Sequence, residues 1–226
     1  MHTNLFLLLL AAVLGVSASL AQPKRLPLTS TDRLIPIHTQ VSVANYLGKP
    51  SVRVVDAGDA SSEVAYAKIQ HLSFRNGTIE LELAGKPLST AGEQARGFVG
   101  IAFRVAGDDT KFECIYLRPT NGRAQDQIRR NHSVQYISHP DYPWQRSRKE
   151  TPEKYEAYVD LVTGEWTKVK IEVEGDKARL YVHGAAQPTL IINDLKHGAG
   201  QEGAIGLWIG PGTEAHFANL VVTPKP

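Results

Sequence analysis

A single cysteine, Cys114, stands in a chain of 226 residues, which rules out an intramolecular disulfide and any cysteine-based metal cluster. Charge of one sign is also lacking. Lys and Arg number 25 against 23 Asp and Glu, and a formal net charge of +2 gives no basis for a nucleic-acid or membrane-surface partner. No pair of histidines shows zinc-enzyme spacing. No apolar run reaches the roughly 20 residues that a spanning helix needs. The longest, Leu5 to Val16, has the length of a signal-peptide core, although no Lys or Arg precedes it. Ser19 and Ala21 supply small residues at the third and first positions before a cut, so residues 1–21 are expected to be a signal peptide cleaved before Gln22. The competing reading is an uncleaved anchor. Export to the periplasm or the extracellular space follows from cleavage, with no membrane partner thereafter. Removing 21 of the 226 residues leaves 205, enough to bury a core without covalent staples.

Long amphipathic helices are absent as well. Short alternating runs recur instead, each bounded by Gly, Pro, Asn or Asp, including Val52–Val55, Thr78–Leu83, Phe98–Val105, Lys111–Leu117, Ser133–Ile137, Tyr155–Leu161, Thr167–Glu174, Lys177–Val182, Ala204–Ile209 and His216–Val222. Many closely spaced strands without intervening helices predict an all-β protein, a two-sheet antiparallel β-sandwich of the jelly-roll kind. No composition break marks a second domain. Residues 22–40, rich in proline, read as a tether or edge segment, and residues 41–226 as one sandwich domain. The period of two assigns faces: Ile79, Leu81 and Leu83 share one side, as do Val169, Ile171 and Val173. In Lys111–Leu117 both faces look covered, which leaves Glu113 a carboxylate among apolar neighbours. It is either an acid/base candidate or the partner of an arginine such as Arg104 or Arg118.

The last third carries the strongest pattern. Thr167–Glu174 and Lys177–Val182 are joined by Gly175-Asp176, a two-residue hairpin turn, and Gly203–Gly210 and Phe217–Val222 follow. This order resembles the closing strands of the concanavalin A-like lectin/glucanase superfamily, particularly laminin-G-like and 3-keto-disaccharide-hydrolase-like domains. Phe74–Glu82, Gly97–Arg104 and Gly164-Glu165-Trp166 are similar to successive blocks of the latter. The resemblance implies a lectin/glucanase-like sandwich and a carbohydrate ligand. The opening Asn-Gly block followed by Trp is not visible between Gln22 and Asp56, so no catalytic residue is carried over.

Arg118 to Lys149 differs from its surroundings: apolar spacing is poor, while planar polar side chains and aromatics are dense. Sugars are held by flat aromatic faces and by bidentate polar groups, and loops on a rigid sandwich are where binding residues lie. The candidate ligand-binding residues are Arg118, Asn121, Arg123, Gln127, Arg129, Arg130, Gln135, Tyr136, Asp141, Trp144 and Arg146. The basic residues among them, with Arg148 and Lys149, also suit an acidic glycan, or simply a solvated basic loop. If the protein is an enzyme, Glu113 or Asp126 is the acid/base candidate and His132 its assistant, with Arg118 and Arg129 positioning the sugar. Glycoside hydrolysis needs two flanking carboxyl groups, and spacing selects no pair. The Glu-x-Asp-x-x-Glu pattern of family-16 glycoside hydrolases is absent. Carbohydrate binding without catalysis is therefore the leading expectation, ahead of a hydrolase acting on a glucoside or 3-keto-glucoside and of a laminin-G-like adhesion domain. Gly107-Asp108-Asp109-Thr110 offers oxygens of the kind that hold Ca²⁺, so a structural calcium ion is one candidate and an ordinary turn the other; no other cofactor is expected.

Overall fold

The computed structural model describes residues 22–58 and 63–225; the expected signal peptide, 1–21, lies outside them. Fifteen strands follow in chain order. The first five are β1 (Lys24–Leu26), β2 (Leu34–Ile37), β3 (Thr39–Tyr46), β4 (Lys49–Asp56) and β5 (Tyr66–Ile69). Next come β6 (Gly77–Pro87), β7 (Val99–Val105), β8 (Phe112–Leu117), β9 (Val134–His139) and β10 (Glu156–Ala157). The last five are β11 (Thr167–Glu174), β12 (Lys177–Val182), β13 (Leu190–Ile192), β14 (Ala204–Ile209) and β15 (Thr213–Pro224). All ladders are antiparallel. One sheet runs β13-β12-β11-β6-β15-β4-β3, with β1 beside the far end of β15; the other runs β10-β9-β8-β7-β14-β5-β2. The two-sheet antiparallel sandwich is thus as the alternation predicts.

The core lies where the period of two puts it. Ile79, Leu81 and Leu83 of β6 and Val169, Ile171 and Val173 of β11 are buried against Ile101, Phe103, Ile115 and Leu207 of the opposite sheet. Gly175 has φ 61° and opens the two-residue turn between Glu174 and Lys177, the position where a type II′ hairpin needs positive φ. The proline-rich segment carries β1 and β2. Pro36 has no N–H to donate, and β2 is outermost in its sheet, where that loss is tolerated.

Strands β7 and β8 are buried along their whole length, on both faces. The second face carries its own apolar layer of Tyr66, Phe112, Cys114, Tyr116, Ile137 and Trp208. Two helices flank this face, α1 (Gln127–Asn131) and α2 (Trp144–Glu150), which the sequence reading missed. At five and seven residues they are too short to show a helical period. Tyr155–Leu161, read as a strand, contributes only the two residues of β10.

Candidate functional site

On the outer face of the second sheet lies a groove of about 1190 Å³. Its floor is built from strand residues of the parity opposite to the core. Tyr116 of β8 and Trp208 of β14 pack at 4.8 Å between ring centroids, and Phe98 meets Tyr116 edge-on at 5.9 Å. Gly100 on β7 makes this packing possible, because a Cβ there would collide with the Ile115 carbonyl and stand 2.5 Å from the Tyr116 Cβ. Trp208 is fixed by its indole N–H, which donates to the Glu63 carbonyl at 2.8 Å. Tyr116 and Trp208 are almost wholly buried, so the ring surface that solvent reaches belongs to Trp144 on the rim and, in part, to Phe98.

One wall comes from the β8–β9 connection and α1, with Asn121, Ile128, Arg129 and His132; another from α2, with Trp144, Arg146 and Arg148. Asp126 caps α1 by accepting from the Arg129 N–H at 3.0 Å. Beneath the walls an ionic network joins them. Glu156 accepts from Arg118 Nη1 at 2.8 Å and from Arg148 Nη2 at 2.6 Å, and the His132 Nε2 stands 3.5 Å from its other oxygen. Arg118 also donates to Gln135 Oε1, to the Tyr116 hydroxyl at 3.1 Å and to the His132 carbonyl at 3.3 Å. Its guanidinium lies 5.3 Å from the centroid of the Tyr116 ring. Burial pushes the Glu156 carboxyl up, but the hydrogen bonds from Arg148 and Arg118 outweigh it and hold the group below its ordinary value. Burial lowers His132, more than the Glu156 charge raises it, and holds the ring below its ordinary value.

The groove brings together Arg118, Asn121, Arg129, His132, Trp144 and Arg146 of the candidates. The others lie elsewhere. Glu113 has the parity of Ile115 and Leu117 and points between the sheets, where it accepts from the Tyr136 hydroxyl at 2.7 Å and the His197 N–H at 2.9 Å. Tyr136 faces the core with it. Glu113 pairs with neither arginine. Arg104 instead donates to the carbonyls of Arg75, Gly175 and Gly198 and to Asn76 Oδ1, and Arg118 takes Glu156. Asp126 is spent on its cap, Gln127 on Asn131, and Arg123 on Asp160, all on exposed surface. Arg130 stands over Tyr158, Asp141 offers its carbonyl to Arg146, and Gln135 is sealed under Arg118. Neither acid/base candidate, Glu113 or Asp126, joins His132 in the groove lining: strand parity turns Glu113 away, and Asp126 caps α1.

Glu63, Arg96, Phe98, Tyr116 and Trp208 also line the groove and were not among the candidates. For Tyr116 and Trp208 a signal existed, since each alternates with core aliphatics inside a strand apolar on both faces. Asp108 and Asp109 both have partners within the protein. Asp109 is bound to Lys68 at 2.6 Å and to the Tyr66 hydroxyl at 2.8 Å, while Asp108 turns back on Thr110. Among the described residues no group of three His, Cys, Asp or Glu converges on a common point, and no helix is long and apolar enough to cross a membrane.

No protein-family model matches the chain, and no curated protein matches it in sequence. Solved structures do resemble it. A Bacillus subtilis protein of unknown function with a galectin-like fold aligns at a TM-score of 0.51 and 14% identity, over 88% of this chain and 94% of that one. The Crh5 transglycosylase, in complex with NAG, aligns at 0.51 and 13% over 92% and 86%. The cellulose-induced protein Cip1 aligns at 0.50 and 10% over 87% and 93%. The shared property is the fold, a two-sheet antiparallel β-sandwich.

Proposed function

We propose that this protein is an exported carbohydrate-binding β-sandwich that takes a glycan in the groove over β8, β9 and β14. The observation that carries this reading is the groove itself. It has an exposed Trp144 and part-exposed Phe98 for ring contact, and Gln94, Gln145 and arginines for hydroxyl groups. That a transglycosylase of the same fold was solved with NAG agrees with it.

Binding is preferred to hydrolysis because of what the groove holds in the way of acids. Among the described residues Glu63 is the one carboxylate in its lining, and Glu156 behind the wall is bound by two arginines. A glycosidase needs a pair, one member of it protonated. The test is a glycan array and a turnover screen on residues 22–226, with 3-keto-glucosides included, run beside Glu63→Gln. Saccharide binding without turnover, retained in Glu63→Gln, is the expected result. Release of product that Glu63→Gln abolishes would make the protein a hydrolase, and silence on every glycan would overturn the reading.

A further inference from the structure

Among the described residues, five arginines line the groove against the single carboxylate of Glu63. Three of the five are paired, by two carboxylates: Arg118 and Arg148 share Glu156, and Arg146 pairs with Glu150 at 2.9 Å along α2. Arg96 and Arg129 are not. No Asp or Glu among the described residues pairs with either. The Arg96 guanidinium is held by neutral acceptors of its own loop, the Glu93 carbonyl at 2.5 Å, the Ala95 carbonyl at 3.1 Å and Gln94 Oε1 at 3.2 Å. It is thereby oriented without being neutralised. The Thr120 N–H donates to the Arg96 carbonyl at 3.3 Å, which ties this loop to the wall that carries Arg118 and Asn121. Arg96, Arg118 and Arg129 line the same groove, and burial, together with the charges of Arg129 and Arg118, pushes Arg96 below its ordinary value. Two of the groove's aromatic rings, Tyr116 and Trp208, are nearly sealed, which leaves Trp144 and Phe98 for ring contact and the unpaired arginines for charge.

We infer that the glycan is anionic and that Arg96 and Arg129 in the groove lining receive its negatively charged group, a carboxylate or a sulfate. This rests on the glycan-binding reading above. An anion there relieves the mutual repulsion of the arginines and adds charge-assisted hydrogen bonds, whereas a neutral sugar can do only the second, and weakly. Glu156 and Glu150 hold the other three arginines in ion pairs.

The experiment is calorimetric titration of residues 22–226 with four probes: an oligogalacturonate (carboxylate), a κ-carrageenan oligosaccharide (sulfate), cellohexaose (neutral) and oligoglutamate (acidic, no sugar). The variants are Arg96→Gln with Arg129→Gln and, as a control of equal charge on the opposite sheet, Lys177→Gln with Arg179→Gln. One or both anionic saccharides should bind at least about 10-fold more tightly than cellohexaose, a difference of about 1.4 kcal/mol. The groove pair should remove that advantage and the control pair should not. Which of the two anionic probes wins distinguishes carboxylate from sulfate. Cellohexaose binding as tightly, with the groove pair silent, overturns the anionic inference and leaves glycan binding standing. Oligoglutamate binding as tightly with the same arginine dependence overturns the saccharide identity. No saccharide binding at all removes both readings.

Discussion

Replacing Glu156 by Gln tests the account of how the groove walls are held. The carboxylate is nearly buried and accepts from Arg118 and from Arg148 through Nη2 and Nε. Its removal leaves the Arg118 guanidinium, only 5% exposed, with neutral acceptors alone: the Tyr116 hydroxyl, Gln135 Oε1 and the His132 carbonyl. Breaking one side of a buried ion pair costs about 3–5 kcal/mol. The lower end applies here, because Arg148 is 35% exposed and turns to water. A loss of about 3 kcal/mol lowers the melting temperature of a chain this long by about 6–12 °C. Urea denaturation and calorimetry of Glu156→Gln would measure it. The same argument has a pH counterpart. The folded value of Glu156 lies below its ordinary 4.5, so its stabilisation is complete above that pH and is lost as pH falls through the folded value. This part of the acid slope should be missing in Glu156→Gln. Adding Arg118→Met should recover part of the loss, since the stranded charge is then gone. A cost under about 1 kcal/mol, with an unchanged acid slope, would refute the network as the support of the walls.

Other consequences are as direct. Arg104→Met removes the donor shared by three carbonyls of separate turns and should cost about 3 kcal/mol or more at about 1 kcal/mol for each buried acceptor left unpaired, read by urea denaturation. Glycan affinity should remain, because Arg104 is remote from the groove. Gly100→Ala places a methyl against β8 under Tyr116 and should destabilise by about 1–3 kcal/mol with loss of near-UV circular dichroism from the floor aromatics. His132 and His216 are both lowered by burial, against opposing pulls from Glu156 and Glu214, so the unfolded chain protonates first. Stability should then decline as pH falls below 6.5, and His132→Gln and His216→Gln should each flatten the fall measured between about pH 7.5 and 5.5.

Much of the fold was legible because half-buried strands write their burial into alternation. Thr167–Glu174, Lys177–Val182 and Ala204–Ile209 begin and end as the sequence implies. Strands β1 to β3 were not read. They lie among prolines or at the sheet margin, and β3, outermost in its sheet, leaves Val43 exposed and shows no clean apolar face. The site was legible only where it is local. The density of polar and aromatic residues in 118–149 marked Arg118, Asn121, Arg129, His132, Trp144 and Arg146, which do meet. Arg96 and Glu63 join them through sheet topology, which one sequence does not display. Glu113 was misplaced for a definite reason: a strand covered on both faces offers a carboxylate two interiors, and only the parity of Ile115 and Leu117 against Tyr116 tells which one it enters.

The central claim is that a saccharide occupies the groove over β8, β9 and β14. A crystal structure of residues 22–226 with the tightest-binding oligosaccharide of the titration tests it most directly. The account predicts sugar density against Trp144 and Phe98, with a charged substituent within hydrogen-bonding distance of Arg96 or Arg129. Sugar on the opposite sheet, for instance against Tyr46 and Trp166, with the groove empty would contradict it.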